Sequence, residues 1–323
     1  MIIDLTLSDD QRMIEDGVRD FLHGRLPVER LREPQNHGGT AERALWQELT
    51  ELGLFGLGCA EQDGGLGMGF AEEALAARAL GLILASPVVL AQLSAPHITT
   101  DPTLRAALIA GTTKAAFANY LGDGAAHLID GDGAEQVLLL SPEGAILLPR
   151  SSLGAAEVAT GMDETVSLAR LYVSVDLPAR CSGTDRISLL ISAYLTGIAQ
   201  ATTAMAVEYA KTREQFGQPI GAFQAIKHQC ADMASRASAA EAQCFFSAVA
   251  FGNGLDDASE IAAARMLASR AAIENAKANI QIHGGMGFTA ECDAHLFLKR
   301  AHLMALLGSS RAAERHRLLG SVS

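Results

Sequence analysis

Cysteine is scarce and unpatterned: there are five, Cys59, Cys181, Cys230, Cys244 and Cys292, with no C-x-x-C spacing. A disulfide-built fold and a thiolate metal cluster are therefore excluded, and the thiols are expected to be reduced and mostly buried. No H-E-x-x-H or similar histidine pairing occurs, so no metal site is expected. Lys and Arg number 25 against 37 Asp and Glu, a formal net charge of −12 with no long run of one sign. Nucleic acid and anionic membrane surfaces call for clustered cations, so neither is an expected partner. No stretch is read as an eighteen-residue uncharged apolar run, so no membrane span is expected. The start, MIIDLTLSDDQRMIEDG, lacks the basic-then-apolar order of a secretory leader, and a cytoplasmic location is the expectation.

What the chain does have is apolar mass. Apolar residues make up 49% of 323, enough for a large core shared by two or three structural units. Ser8 followed by Gln11 reads as a capping box, with Ile14, Val18, Phe21 and Leu22 at helical spacing behind it. Leu45, Leu49 and Leu52 mark a second helix, and a third is expected over 71–84, ending before Pro87. The texture then changes. Two apolar runs, 136–140 and 145–148, flank the turn Ser141-Pro-Glu-Gly144 and predict a hairpin. Ala169, Leu171, Val173 and Val175 alternate with polar residues, as in a half-buried strand. Beyond Gly183, apolar steps from Ile187 to Tyr209 predict a long helix. Two more are expected over 223–251 and 257–282, with shorter ones after Gly287 and Gly308. Long helices joined by short corners predict an antiparallel bundle. The expected fold is mostly α: an N-terminal helical domain (1–112), a small truncated β domain (113–180) and a C-terminal four-helix bundle (181–323).

The corner between the first two long C-terminal helices reads Lys211-Thr-Arg-Glu-Gln-Phe-Gly-Gln-Pro-Ile-Gly-Ala-Phe-Gln224. Gly217, Pro219 and Gly221 break the helix there. Arg213 lies near the C-terminal end of its helix, where a cation complements the dipole. By itself this is a turn with Phe216 and Phe223 plugged into the bundle. A second glycine cluster, Gln281-Ile-His-Gly-Gly-Met-Gly-Phe288, reads as a helix end and a stop. It does not follow a strand and is no Rossmann fingerprint. Two such corners could also frame a planar anionic ligand, with an arginine and backbone N–H groups on its phosphates. Spacing leaves both readings open.

Together these segments resemble the acyl-CoA dehydrogenase flavoprotein family. The run from Tyr209 to His228, continuing through Ala231-Asp-Met233, carries one signature, and Gln281 to Phe288 carries the second at the expected place. Glu51-Leu-Gly-Leu-Phe-Gly-Leu and Gly64-Gly-Leu-Gly67 add an N-terminal match. The resemblance implies FAD as cofactor, held by Arg213 at the pyrophosphate with Phe216 close by and Phe223 and Gln224 lining the dinucleotide. It further implies that Gln281, Gly284 and Gly285 contact FAD from a neighbouring subunit, hence at least a dimer. The implied reaction removes two hydrogens from an acyl-CoA thioester, a carboxylate taking the α proton. Electron-transferring flavoprotein is the implied electron acceptor.

The match has two gaps. In many family members the base is a Glu in the segment matching Ala305-Leu-Leu-Gly-Ser-Ser310, where Leu307 stands here, and leucine accepts no proton. Other members place it at the start of the first long C-terminal helix, at Ile187 here. Asp185, two residues earlier, is the remaining acid, as base or as a first-turn helix cap. The middle domain is also short, without the family's Thr-Glu-Pro-like loop or later tryptophan strand; the sole tryptophan is Trp46. Two functions follow: a dehydrogenase using Asp185 or a partner's acid, or a non-catalytic subunit completing FAD sites with a longer paralogue. Some bacterial family members acting on sterol side chains pair a short and a long chain in this way. A bundle without flavin is a third reading, which the two motifs oppose.

Overall fold

The computed structural model describes residues 5–174, 182–255 and 257–320; Val175 and Cys181 lie outside them. Helix α1 (Asp9–Arg25) begins at the expected capping box, with Gln11 N donating to Ser8 Oγ and Ser8 N to Gln11 Oε1. The second expected helix is two short ones, α2 (Thr40–Ala44) and α3 (Trp46–Glu51). Helix α4 (Phe70–Leu82) is buried nearly all round. Two further helices, α5 (Pro87–Ser94) and α6 (Pro102–Ile109), each begin on a proline. Proline at a first helical position starts a helix because the missing N–H has no partner there anyway. Pro87 was therefore the start of α5 as well as the end of the preceding segment.

The small β unit is a six-stranded mixed sheet: β1 (Ala115–Gly122), β2 (Ala125–Ile129), β3 (Gln136–Leu140), β4 (Ala145–Pro149), β5 (Glu157–Ala159) and β6 (Leu168–Tyr172). Their spatial order is β4-β3-β1-β2-β6-β5, with β1 and β3 parallel and the other pairs antiparallel. The expected hairpin is β3–β4, and the alternating strand is β6. Asp130 joins the sheet to the helices: it accepts from Ser86 Oγ at 2.5 Å and from Ser167 N at 2.7 Å. Burial pushes its carboxyl up to about 6, against the pull of the Ser86 hydroxyl.

The C-terminal bundle comprises α7 (Ser182–Thr212), α8 (Gln224–Gly252), α9 (Ala258–His283) and α10 (Ala294–Leu306), followed by α11 (Arg311–Gly320). Ile187 to Val207 carries no charged side chain, which corrects the expectation that no such run exists. By length and composition alone α7 could cross a membrane, but 67% of its most apolar window is inside the protein. It is the core helix of the bundle. It touches α4 backbone to backbone: a Cβ on Gly81 would meet Tyr194 O at 1.9 Å, and one on Gly197 would meet Arg78 O at 2.2 Å. Glycine is required at both positions by that approach.

Candidate functional site

The last turn of α7, the start of α8 and the end of α9 meet at one end of the bundle. Between α7 and α8 the chain makes a two-strand hairpin, β7 (Glu214–Gln215) with β8 (Gln218–Pro219). Its two turn residues, Phe216 at φ 54° and Gly217 at φ 78°, are both left-handed. That is the geometry of a two-residue hairpin turn, for which glycine is suited and phenylalanine is not. Phe216 is nonetheless 94% exposed, so no packing within the chain holds it there. A bulky residue in this region costs roughly 1–3 kcal/mol and points to a function outside the fold. Phe223 stands edge-on to it, ring centroids 6.2 Å apart, half-buried rather than core.

Arg213 is exposed, and its guanidinium makes no hydrogen bond or ion pair among the described residues. Gln224 opens α8, whose N-cap, Phe223, supplies no side-chain acceptor and whose first turn has no acid. The positive end of this long helix therefore lies uncapped beside Arg213, a disposition suited to an anion. The α9 corner reaches the same place. Tyr209 on α7 stacks on His283 on α9 at 4.1 Å and 22°, and His283 Nδ1 bonds Asn279 O at 2.8 Å. Gln281 is exposed, and Gly284 has φ 61° and ψ −138°, a conformation open to glycine alone. Gly285 has neither a positive φ nor any atom within 4 Å of an added Cβ. Nothing inside the chain demands glycine at that position; an approaching ligand or chain would. An unpaired guanidinium and a helix N-terminus without a side-chain cap fit a dinucleotide pyrophosphate, and exposed Phe216 offers an apolar face beside them.

The residues carried over as possible bases lie at the other end of α7. Leu307 and Ile187 are each 2% exposed and line the same cavity, of about 10 Å³, with Leu140, Ser141, Thr184, Ser188, Ile191, Gly308 and Ser309. A space of this size holds about one water. Among the described residues no carboxylate is in its wall. Asp185 is not part of the lining; its Oδ1 accepts from Arg317 Nη2 at 2.9 Å. The Leu307–Gly308 loop is clamped on both sides, with Arg265 Nη2 on Leu307 O at 2.8 Å and Gly308 N on Asn119 Oδ1 at 2.7 Å. Next along the helix, Arg186 grips Glu73, a wholly buried carboxylate on α4, with Nε–Oε2 at 2.8 Å; His97 Nε2 lies 2.7 Å from its other oxygen. Burial alone would raise the Glu73 carboxyl, but His97 and Arg186 outweigh it and hold it below the ordinary range. Cys59, 3.8 Å from the same imidazole nitrogen, is pushed up to about 12 by burial and is an inert thiol. Sequence reasoning missed this cluster and the Tyr209–His283 stack, because each joins residues far apart in the chain.

An α-helical chain with a small sheet and a bundle-end cradle is thus the class defined by the coordinates. Residues 179–318 match the family model for the acyl-CoA dehydrogenase C-terminal domain, and 8–106 that for the N-terminal domain. Among relatives, acyl-CoA dehydrogenase IpdE2 of Mycobacterium tuberculosis is 31% identical, with 94% of each chain covered. Acyl-CoA dehydrogenase FadE34 of the same organism is 35% identical over 94% of this chain, which spans only 47% of FadE34. Among solved structures, butyryl-CoA dehydrogenase from Megasphaera elsdenii superposes with a TM-score of 0.82 at 22% identity, covering 99% of this chain and 100% of that one. The Tcur3481-Tcur3483 steroid ACAD gives 0.82 at 21% identity, covering 98% and 100%. The chain belongs to the acyl-CoA dehydrogenase family.

Proposed function

We propose that this chain serves in the FAD-dependent α,β-dehydrogenation of an acyl-CoA thioester, with the bundle-end corner as its dinucleotide clamp. The observation that carries the reading is that the Tyr209–His283 stack joins the end of α9 to the last turns of α7, close in sequence to exposed Arg213 and Phe216 and to the side-chain-uncapped start of α8. Arg213 would oppose the pyrophosphate, Gly284 and Gly285 would let it reach the backbone, and Phe216, Phe223 and Gln224 would pack on the dinucleotide. Bound FAD would supply the acceptor for the hydride leaving the acyl β carbon. The corner is open surface, so a second family chain would cover the remainder of the cofactor. Electron-transferring flavoprotein as acceptor and a cytoplasmic location belong to the same reading; the four described cysteines are all free.

A second reading draws on the other end of α7. Among the described residues, the small cavity at Leu307 and Ile187 offers neither a carboxylate nor room for a thioester. On that ground the α proton would be taken by a carboxylate of a longer paralogue, and this chain would complete that paralogue's FAD site. An absorbance spectrum separates the two readings. A chain that is yellow alone and bleaches with acyl-CoA supports the self-sufficient enzyme. One that acquires flavin and bleaching only with a paralogue supports the subunit. A protein without flavin in either setting would sink the proposal.

A further inference from the structure

Helix α9 carries two inward stripes of different character. The first is small and repetitive: Ala264, Ala268, Ala272 and Ala276 lie four residues apart and are wholly buried. Four residues make about one helical turn, so a slip of α9 by a turn, about 5.4 Å along its axis, puts alanine where alanine stood. Packing of this kind brings backbones close and leaves the axial setting of the helix weakly specified. The second stripe is polar. Asn275, Asn279 and His283 follow at the same spacing, and each meets α7 a step further along. Wholly buried Asn275 donates from Nδ2 to Ala199 O at 3.2 Å and Thr203 Oγ1 at 3.0 Å on α7, and to Met233 O at 2.9 Å on α8. Its Oδ1 accepts from Arg236 Nε at 2.8 Å. His283 ends the stripe on Tyr209.

Asn279, in the middle, is the informative member. It is wholly buried, and its Nδ2 has only the thioether Met205 Sδ, 3.8 Å away. Its Oδ1 has no partner among the described residues. An acceptor buried in this way costs stability, so stability does not explain an asparagine here. A polar side chain in a helical core has another use: it fixes register, at a cost in stability. We propose that Asn275, Asn279 and His283 are positioning residues, which set α9 against α7 so that the Gln281–Gly285 turn reaches the Arg213 end of the bundle in a single register. The consequence for flavin rests on reading that end as an FAD clamp; the register itself does not.

Two readouts test it together. Spin labels on exposed Lys211 and Lys277, carried by non-canonical residues, report the setting of α9 against α7. Wild type should give one narrow distance. Asn279→Leu combined with His283→Ala should add a population displaced by about 5 Å, one turn. FAD titrated into the assembled protein should bind this double variant about tenfold more weakly, as for loss of an aromatic pair. His283→Phe alone, which keeps a ring on Tyr209, should bind within about threefold of wild type. Asn279→Leu alone should keep or raise the thermal midpoint, which separates register from stability. Four results would each overturn the proposal: an unchanged distance in the double variant, whatever its flavin binding; binding by His283→Phe as weak as by the double variant; a lowered midpoint for Asn279→Leu; or displaced distances with flavin binding weakened only by Arg213→Ala. Displaced distances with binding untouched by the double variant and by Arg213→Ala alike would keep the register and remove the clamp reading.

Discussion

Helix α7 has two ends with opposite characters. At its first turns Asp185 is bonded to Arg317, Arg186 grips buried Glu73, and Ile187 closes on Leu307. At its last turn, roughly 45 Å away for a helix of this length, Arg213 and Phe216 stand in solvent beside an uncapped helix. One end has its Asp185, Arg186 and Glu73 charges paired within the chain, and at the other Arg213 makes no ion pair among the described residues. Within a single family fold, a polar group that lacks a partner and a glycine that lacks a reason indicate where something else must bind. A packed interior whose charges are paired within the chain indicates structure. The motifs implying FAD fall at the open end, while the positions implying chemistry fall at the closed one.

The sharpest way to break this comparison is to empty the closed end. Glu73→Ala leaves half-buried Arg186 without its carboxylate, and breaking such a pair at a buried carboxylate costs about 3–5 kcal/mol. Urea unfolding at neutral pH should show the loss. Because the folded chain holds Glu73 below its ordinary range, its stabilisation is complete above the unfolded carboxylate value and lost as pH falls through the folded one. The variant should therefore lose part of the acid sensitivity of the wild type. A change below about 1 kcal/mol would mean that this end is not the keystone described.

At the open end, Arg213→Ala should do the reverse. Loss of a charge-assisted contact to a phosphate should weaken FAD retention by about tenfold to a hundredfold. Stability should move by no more than about 0.5 kcal/mol, as for other exposed residues. Asp185→Asn tests whether the closed end hides a base. It should cost about 1 kcal/mol of stability at most and leave turnover of the flavin-loaded assembly unchanged; abolished turnover would restore Asp185 as the base. Asn119→Ala is the smallest change. It removes the acceptor of Gly308 N–H and should cost about 1 kcal/mol, measured by thermal unfolding, with no change in bound flavin.

Much of the fold was legible because the long helices announce themselves by spacing: the expected spans 223–251 and 257–282 lie within one residue of α8 and α9. The elements that escaped have local causes. Pro87 and Pro102 start helices, yet a proline before an apolar run is read most readily as a stop. Strands β1 and β2 meet through Gly122 to Gly124, a turn with three successive positive φ values that blurs into the flanking small residues. At the candidate site, Arg213, Phe216, Gln281 and Gly284 were singled out by motif resemblance. That their helices meet at one end of the bundle was not, since it depends on Tyr209 stacking on His283. Nor was the closure around Leu307, which Asn119 and Arg265 bring about from distant segments.

The most direct test is to titrate FAD into the assembled protein with wild-type chain, with Arg213→Ala and with Ile187→Val. The contrast between the two ends of α7 predicts weaker binding for Arg213→Ala and wild-type binding for Ile187→Val. Equal binding by wild type and Arg213→Ala, or loss confined to Ile187→Val, would contradict it.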